Sequence, residues 1–123
     1  MTMKESILIV ESTDMPSDSN VIFDRLMKML ESTGCIKDKE RTVSDLMARD
    51  WAVGAREEDG VLLHHSKTEG VSRFCAAVLM FPGNVVHGVF AWPENTDDNL
   101  QKIASVFDRI QKMQLKKLGV KAA

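Results

Sequence analysis

At 123 residues, 44% of them apolar and 28% charged, the chain has the size and composition of a domain with one hydrophobic core, which excludes a disordered or fibrous protein. Its 16 basic and 18 acidic side chains leave a net charge of −2, without the basic excess that holds a protein on nucleic acid or an acidic membrane. Cys35 and Cys75 fit no C-x-x-C spacing and imply no disulfide framework, and Cys75, inside an apolar run, reads as a small buried hydrophobe.

The first apolar run, Ile7 to Val10, is only four residues long and follows charged residues, so it is neither a signal peptide nor a membrane span. A reduced, cytoplasmic protein with no membrane insertion is expected. Ile7-Leu8-Ile9-Val10 is β-branched and bounded by polar residues, which predicts a buried strand. Ser12 to Ser19 is a loop, and Asn20 to Ser32 a helix with Ile22, Phe23, Leu26, Met29 and Leu30 at helical spacing. Asp18 or Ser19 caps its start and Gly34 suits its left-handed stop.

A second helix is predicted from Asp38 to Arg49, with Val43, Leu46 and Met47 as its apolar stripe and Asp38 as its cap. Trp51 to Arg56 reads as a strand and Glu57-Glu58-Asp59-Gly60 as a turn whose last residue suits positive φ. Val61 to His65 is the next strand. Phe74 to Phe81 is continuously apolar, the pattern of a strand buried on both faces. Pro82-Gly83-Asn84 turns into a strand from Val85 to Trp92 that contains His87. A final helix, with Leu100, Ile103, Val106, Phe107, Ile110 and Met113 as its stripe, starts at Asn95 to Asp98. Lys112, Lys116 and Lys117 near its end suit the helix dipole and form a solvated face. The eight methionines read mostly as core. The order predicts a single α/β domain, residues 1–123, with a mixed sheet flanked by helices.

Chemistry concentrates at His64-His65. Neighbouring strand residues point to opposite faces, so the pair cannot chelate one ion without a bend, and no Cys/His/Asp/Glu cluster has ligand spacing. Ser66 beside His65 lacks a nucleophile elbow, and no G-x-x-x-x-G-K-[ST] loop is present. His87, among valines, reads as a half-buried structural side chain. That leaves His65 as a nucleophile for a phosphoryl group, since imidazole is nucleophilic and titrates near neutrality. Arg49 and Lys67 are candidate cations for the phosphoryl oxygens.

The stretch from Arg49 to His65, Arg-Asp-Trp-Ala-Val-Gly-Ala-Arg-Glu-Glu-Asp-Gly-Val-Leu-Leu-His-His, resembles the motif R-E-x-x-x-S-T-x-I-G-x-G-[IV]-A-[IV]-P-H of the fructose–mannitol type of enzyme IIA in the bacterial phosphoenolpyruvate-dependent sugar phosphotransferase system. It aligns without a gap. Ser66 to Val71 and Asn99-Leu100-Gln101 also resemble family stretches, and the element order agrees. The resemblance implies that His65 takes a phosphoryl group from the phosphohistidine of the carrier HPr and passes it to an enzyme IIB domain. Arg49 would support the site, with no metal, nucleotide or other cofactor required.

Five positions depart from the pattern. His64 stands where the family has proline, Gly54-Ala55 replaces Ser-Thr, Glu58 replaces a glycine, and Asn99 aligns with a second active-site histidine. Asn99 can donate a hydrogen bond but carries no charge. Two other readings stay open: a divergent interaction module that docks on phosphotransferase proteins without transferring, and a metal site using His64, His65 and His87.

Overall fold

Phase of burial along the chain sets the architecture. The computed structural model describes residues 6–14, 16, 18–53, 56–58, 61–83, 85–93 and 99–117. The elements are β1 (Ile7–Glu11), α1 (Ser19–Ser32), α2 (Lys39–Val53), β2 (Arg56–Glu58), β3 (Val61–Lys67), β4 (Cys75–Phe81), β5 (Val85–Trp92) and α3 (Asn99–Lys117). The five strands form one mixed sheet in the order β1-β4-β5-β3-β2. β1 runs parallel to β4 and β3 parallel to β5, while β4–β5 and β2–β3 are antiparallel.

Every residue of β4 is buried, because both of its faces carry a core. On one face Ile22, Leu26 and Leu30 of α1 and Leu46 of α2 pack on Ala77, Leu79 and Val89. On the other, Val106 and Ile110 of α3 pack on Val78, Phe74 and Phe90. The sheet is thus sandwiched between an α1–α2 layer and an α3 layer. Gly88 sits in β5 where a Cβ would come 3.0 Å from Leu63 Cδ2, so its small size lets the α3-side core close over the central strands.

Caps and turns follow local chemistry. Asp18 accepts from the Asn20 N–H at 2.9 Å to start α1, and Asp38 accepts from Arg41 N–H at 3.0 Å to start α2. Gly34 ends α1 at φ 75° and Gly83 turns β4 into β5 at φ 79°, both left-handed positions. Cys35 and Cys75, distant in sequence, meet on the α1–α2 side as buried free thiols. Burial pushes the Cys75 thiol above its ordinary value, and the neighbouring Cys35, hydrogen-bonded to it, pushes it the same way.

Five expectations need correction. β1, predicted as a buried strand, is at the edge of the sheet, with Ile7 to Ile9 half-buried and Val10 45% exposed. Trp51 to Val53 is helical, the last part of α2, and the strand begins later, at Arg56. Glu57 and Glu58, expected in a turn, are strand residues paired with Leu62 and Val61. An Asp59-Gly60 pair separates these partners in the sequence, the dipeptide that commonly links hairpin strands, and residues 56–58 take strand geometry by pairing despite their polar character. β3 runs on to Lys67 because Ser66 and Lys67 pair with Ala91 and Trp92, so it does not stop at His65. Met47, expected on the apolar stripe of α2, is 49% exposed, since Leu46 alone of that adjacent pair turns inward. Gly54, Ala55, Asp59, Gly60 and the helix start expected at Asn95 to Asp98 lie outside the described residues.

Candidate functional site

Period-two alternation separates the two histidines. His64 faces the α1–α2 layer, where its ring meets Phe23 edge-on with centroids 5.3 Å apart and planes at 74°. His65 faces the α3 layer and lies parallel to the Trp92 indole, with centroids 6.2 Å apart and planes 9° from each other. The register explains the stack. His65 is opposite Phe90 and Lys67 opposite Trp92, so His65 and Trp92 are diagonal neighbours on one face, within reach for aromatic side chains. Both histidines are half-buried.

The stack continues inward. Trp92 lies nearly parallel to Phe74, with centroids at 6.3 Å and planes at 15°, and the Lys102 ammonium sits 5.8 Å from the Phe74 centroid. Lys102 belongs to the first turn of α3, so the start of that helix overlies the row of rings that begins at His65. Lys67 is exposed at the end of β3 on the face of His65. Ser66 Oγ donates to the Lys67 carbonyl at 2.9 Å, so its hydroxyl serves the local backbone.

Residues 68–74 tie the end of β3 to the α1–α2 connection. Thr68 N–H donates to the Trp92 carbonyl at 2.8 Å, and buried Thr68 accepts from Gly70 N–H at 3.0 Å. The Gly70 carbonyl accepts from Lys37 N–H at 2.9 Å and Asp38 N–H at 3.0 Å. Ser72 N–H donates to the Cys35 carbonyl at 2.8 Å, and Arg73 Nη2 to the Thr33 carbonyl at 3.1 Å. A chain end that satisfies its backbone groups this fully holds the strand before it in place.

Of the residues singled out in the sequence, Arg49 lies in the last part of α2 and Asn99 is the first residue of α3. α2 packs against β3, but in the layer facing His64 and away from His65. β2 pairs with β3 only over Val61 to Leu63, so the edge of β3 from His64 to Lys67 extends beyond that ladder. His87 is half-buried on the α1–α2 side, edge-on to Phe81 at 5.6 Å, and shares a face with His64 but not with His65. Among the described residues no group of three or more His, Cys, Asp or Glu side chains is arranged to hold a metal ion. No helix among them is long and apolar enough to cross a membrane.

The sequence reading missed Trp92, Phe74 and Lys102 as neighbours of the histidine. Alternation along Val86, Gly88, Phe90 and Trp92 places the indole on one face of β5, but only the β3–β5 register shows that His65 shares it. A groove of about 650 Å³ runs along the outer face of α2, lined by Lys39, Glu40, Val43, Ser44 and Met47, and none of the expected site residues lines it.

No protein-family model matches the sequence, and no curated protein matches it. Among solved structures the chain is similar to the crystal structure of nitrogen regulatory protein IIA-Ntr from Neisseria meningitidis, with 15% identity and a TM-score of 0.54. That similarity covers 95% of this chain and 85% of the other. The two share a fold. The structural likeness is therefore to a nitrogen regulatory IIA protein, and the fructose–mannitol type stands on the motif alone.

Proposed function

We propose that the 123 residues form a single IIA-type phosphoryl carrier domain of a bacterial phosphotransferase chain, working in the cytoplasm with His65 as the acceptor. An imidazole nitrogen of His65 attacks the phosphorus of the HPr phosphohistidine. One N–P bond forms as the other breaks, and the electron pair of the broken bond returns to the HPr imidazole. In the onward step a nucleophile on an enzyme IIB domain attacks the same phosphorus, and the N–P bond to His65 breaks with its electron pair returning to the imidazole. Arg49 and Lys67 supply positive charge for the phosphoryl oxygens, and the planar guanidinium suits paired hydrogen bonds to them. His64 holds the proline position beside the acceptor, and Asn99 offers a hydrogen bond at the start of α3. Such a reaction needs no metal or nucleotide.

One observation carries the reading: a chain with an ungapped Arg49-to-His65 match to the enzyme IIA motif has, over 95% of its length, the fold of a protein named IIA-Ntr. That name favours a regulatory setting over sugar uptake. The test is to incubate the protein with phosphoenolpyruvate, enzyme I and HPr, and to look for an acid-labile, base-stable phosphate by intact mass. The adduct is expected in the wild type and in His64→Ala, and is lost in His65→Ala. No adduct with any cognate HPr refutes the carrier.

The alternative, an interaction module that docks on phosphotransferase proteins without transferring, draws on the layer separation between α2 and the ring of His65. It predicts HPr binding in the absence of any adduct.

A further inference from the structure

We infer that the outer edge of β1 is a self-association surface, on which β1 of a second copy of this chain pairs antiparallel and continues the sheet. The inference goes beyond the proposed carrier reading and does not depend on it. β1 is the last strand on its side of the sheet, and among the described residues only β4 pairs with it. The phase of its hydrogen bonds is fixed at both ends. The Ser6 carbonyl accepts from Ala76 N–H at 2.9 Å, and Ser12 N–H donates to the Met80 carbonyl at 2.8 Å. Successive residues of a strand present their backbone groups to opposite sides, so Ser6, Leu8, Val10 and Ser12 face β4 while Ile7 and Ile9 aim N–H and C=O outward.

Sheet edges are ordinarily blunted by charge, proline, bulges or shortness. The opposite side of this sheet has such protection, since β2 is Arg56-Glu57-Glu58 and β3 beyond it ends on Lys67. β1 has none over Ile7 to Val10, and Val10, 45% exposed, is the strand residue among the most exposed large apolar side chains described. An apolar β1 edge therefore has its match in another β1 and not in β2, so pairing closes on a two-fold axis and does not run on into a filament. Hydrogen-bond phase limits the register, because outward-facing residues must meet outward-facing residues. With the axis at Ile9, the two Ile9 residues exchange N–H···O bonds. Leu8 of each copy then lies opposite Val10 of the other, in the closer kind of cross-strand pair, which covers the exposed valine. The net charge of −2 opposes this approach only weakly. β4 and β5 separate the β1 edge from β3, so the pairing does not involve the histidine strand.

The test is sedimentation equilibrium of the full chain, together with amide hydrogen exchange. An edge this short makes a weak contact, so the mass is expected to rise from 13.8 kDa toward twice that value between about 5 and 500 µM protein. Val10→Lys puts a charge on a side chain that is exposed in the single copy and enclosed in the pair. It is expected to weaken association at least about tenfold, with the urea midpoint of the dilute protein unchanged. Met47→Lys, a comparable change at an exposed position on α2, is expected to leave association as in the wild type. Over the same concentrations the Ile7 and Ile9 amides are expected to become protected, whereas those of Leu8 and Val10, bonded to β4, are protected throughout. A wild type that stays at 13.8 kDa, association that survives Val10→Lys, or association lost equally in both lysine variants overturns the inference. So do species heavier than two copies, or Ile7 and Ile9 amides indifferent to concentration. The exchange arm needs no variant, so it decides even if Val10→Lys does not fold. No phosphoryl donor enters the experiment, so failure here leaves the carrier reading standing, and a missing phosphate adduct leaves this inference standing.

Discussion

Gly70 offers the sharpest test of how the segment after the histidines is held. A Cβ there would overlap the Thr42 hydroxyl and would lie 2.6 Å from the Asp38 carbonyl oxygen and 2.8 Å from Thr42 N, where ordinary contact begins at 3.4 Å. The last two obstacles are backbone of the α2 start, so a methyl group forces a separation of at least roughly 0.6–0.8 Å between two hydrogen-bonded segments. Overpacking of this kind costs about 1–3 kcal/mol. The same movement stretches the two hydrogen bonds that the Gly70 carbonyl accepts from Lys37 and Asp38, at about 0.5–1.5 kcal/mol each. Gly70→Ala is therefore expected to lose about 3 kcal/mol and to lower the melting temperature by roughly 10 °C. Urea unfolding followed by circular dichroism reads the change as a lower midpoint at constant slope. Gly88→Ala is the control: its nearest atom, Leu63 Cδ2 at 3.0 Å, is the tip of a side chain that can give, and about 1 kcal/mol is expected. If Gly70→Ala costs no more than Gly88→Ala, the close approach does not hold the loop and the reasoning fails.

Arg49→Ala is expected to slow phosphoryl uptake from HPr about tenfold or more with an unchanged unfolding midpoint, and equal uptake rates would remove the arginine from the site. Leu46→Ala, at a fully buried position, is expected to cost about 2–5 kcal/mol by denaturant unfolding, while exposed Met47→Ala stays within about 0.5 kcal/mol. Comparable losses at the two positions would contradict the orientation of α2. Burial raises the Cys75 thiol above its ordinary 9.0, so the folded state keeps a proton that the unfolded chain releases. The stabilisation is complete below pH 9 and falls as pH rises from there toward the folded value, by up to about 1.4 kcal/mol per pH unit. Unfolding free energies at pH 8 and 10 should differ more in the wild type than in Cys75→Ala, and identical differences would show that the thiol titrates normally.

Hydrophobic pattern made most of the fold legible. The continuous run from Phe74 to Phe81 identified a strand covered on both faces, and β4 is buried throughout because helices lie on both sides of it. The stripe from Ile22 to Leu30 placed α1, and Gly34 its end, because a left-handed stop is local chemistry. Two of the errors fell where pairing outweighed composition. Arg56 to Glu58 carries three charges and no apolar residue, and it is a strand because β3 offers it a ladder. β3 likewise outran its apolar stretch because β5 pairs with Ser66 and Lys67.

The histidine pair divides along the same line. Adjacency in a strand sends His64 and His65 to opposite faces, and this follows from backbone geometry with no knowledge of the rest of the chain. The sequence alone therefore determined that the two rings are inequivalent, along with the α/β order and the ungapped spacing from Arg49 to His65. Which layer each ring enters was decided by tertiary structure: His65 lies on Trp92 under α3, and His64 against Phe23 of α1. Register and layer assignment depend on pairings between residues distant in sequence, and the alternation within one strand is unchanged when the whole strand is turned over.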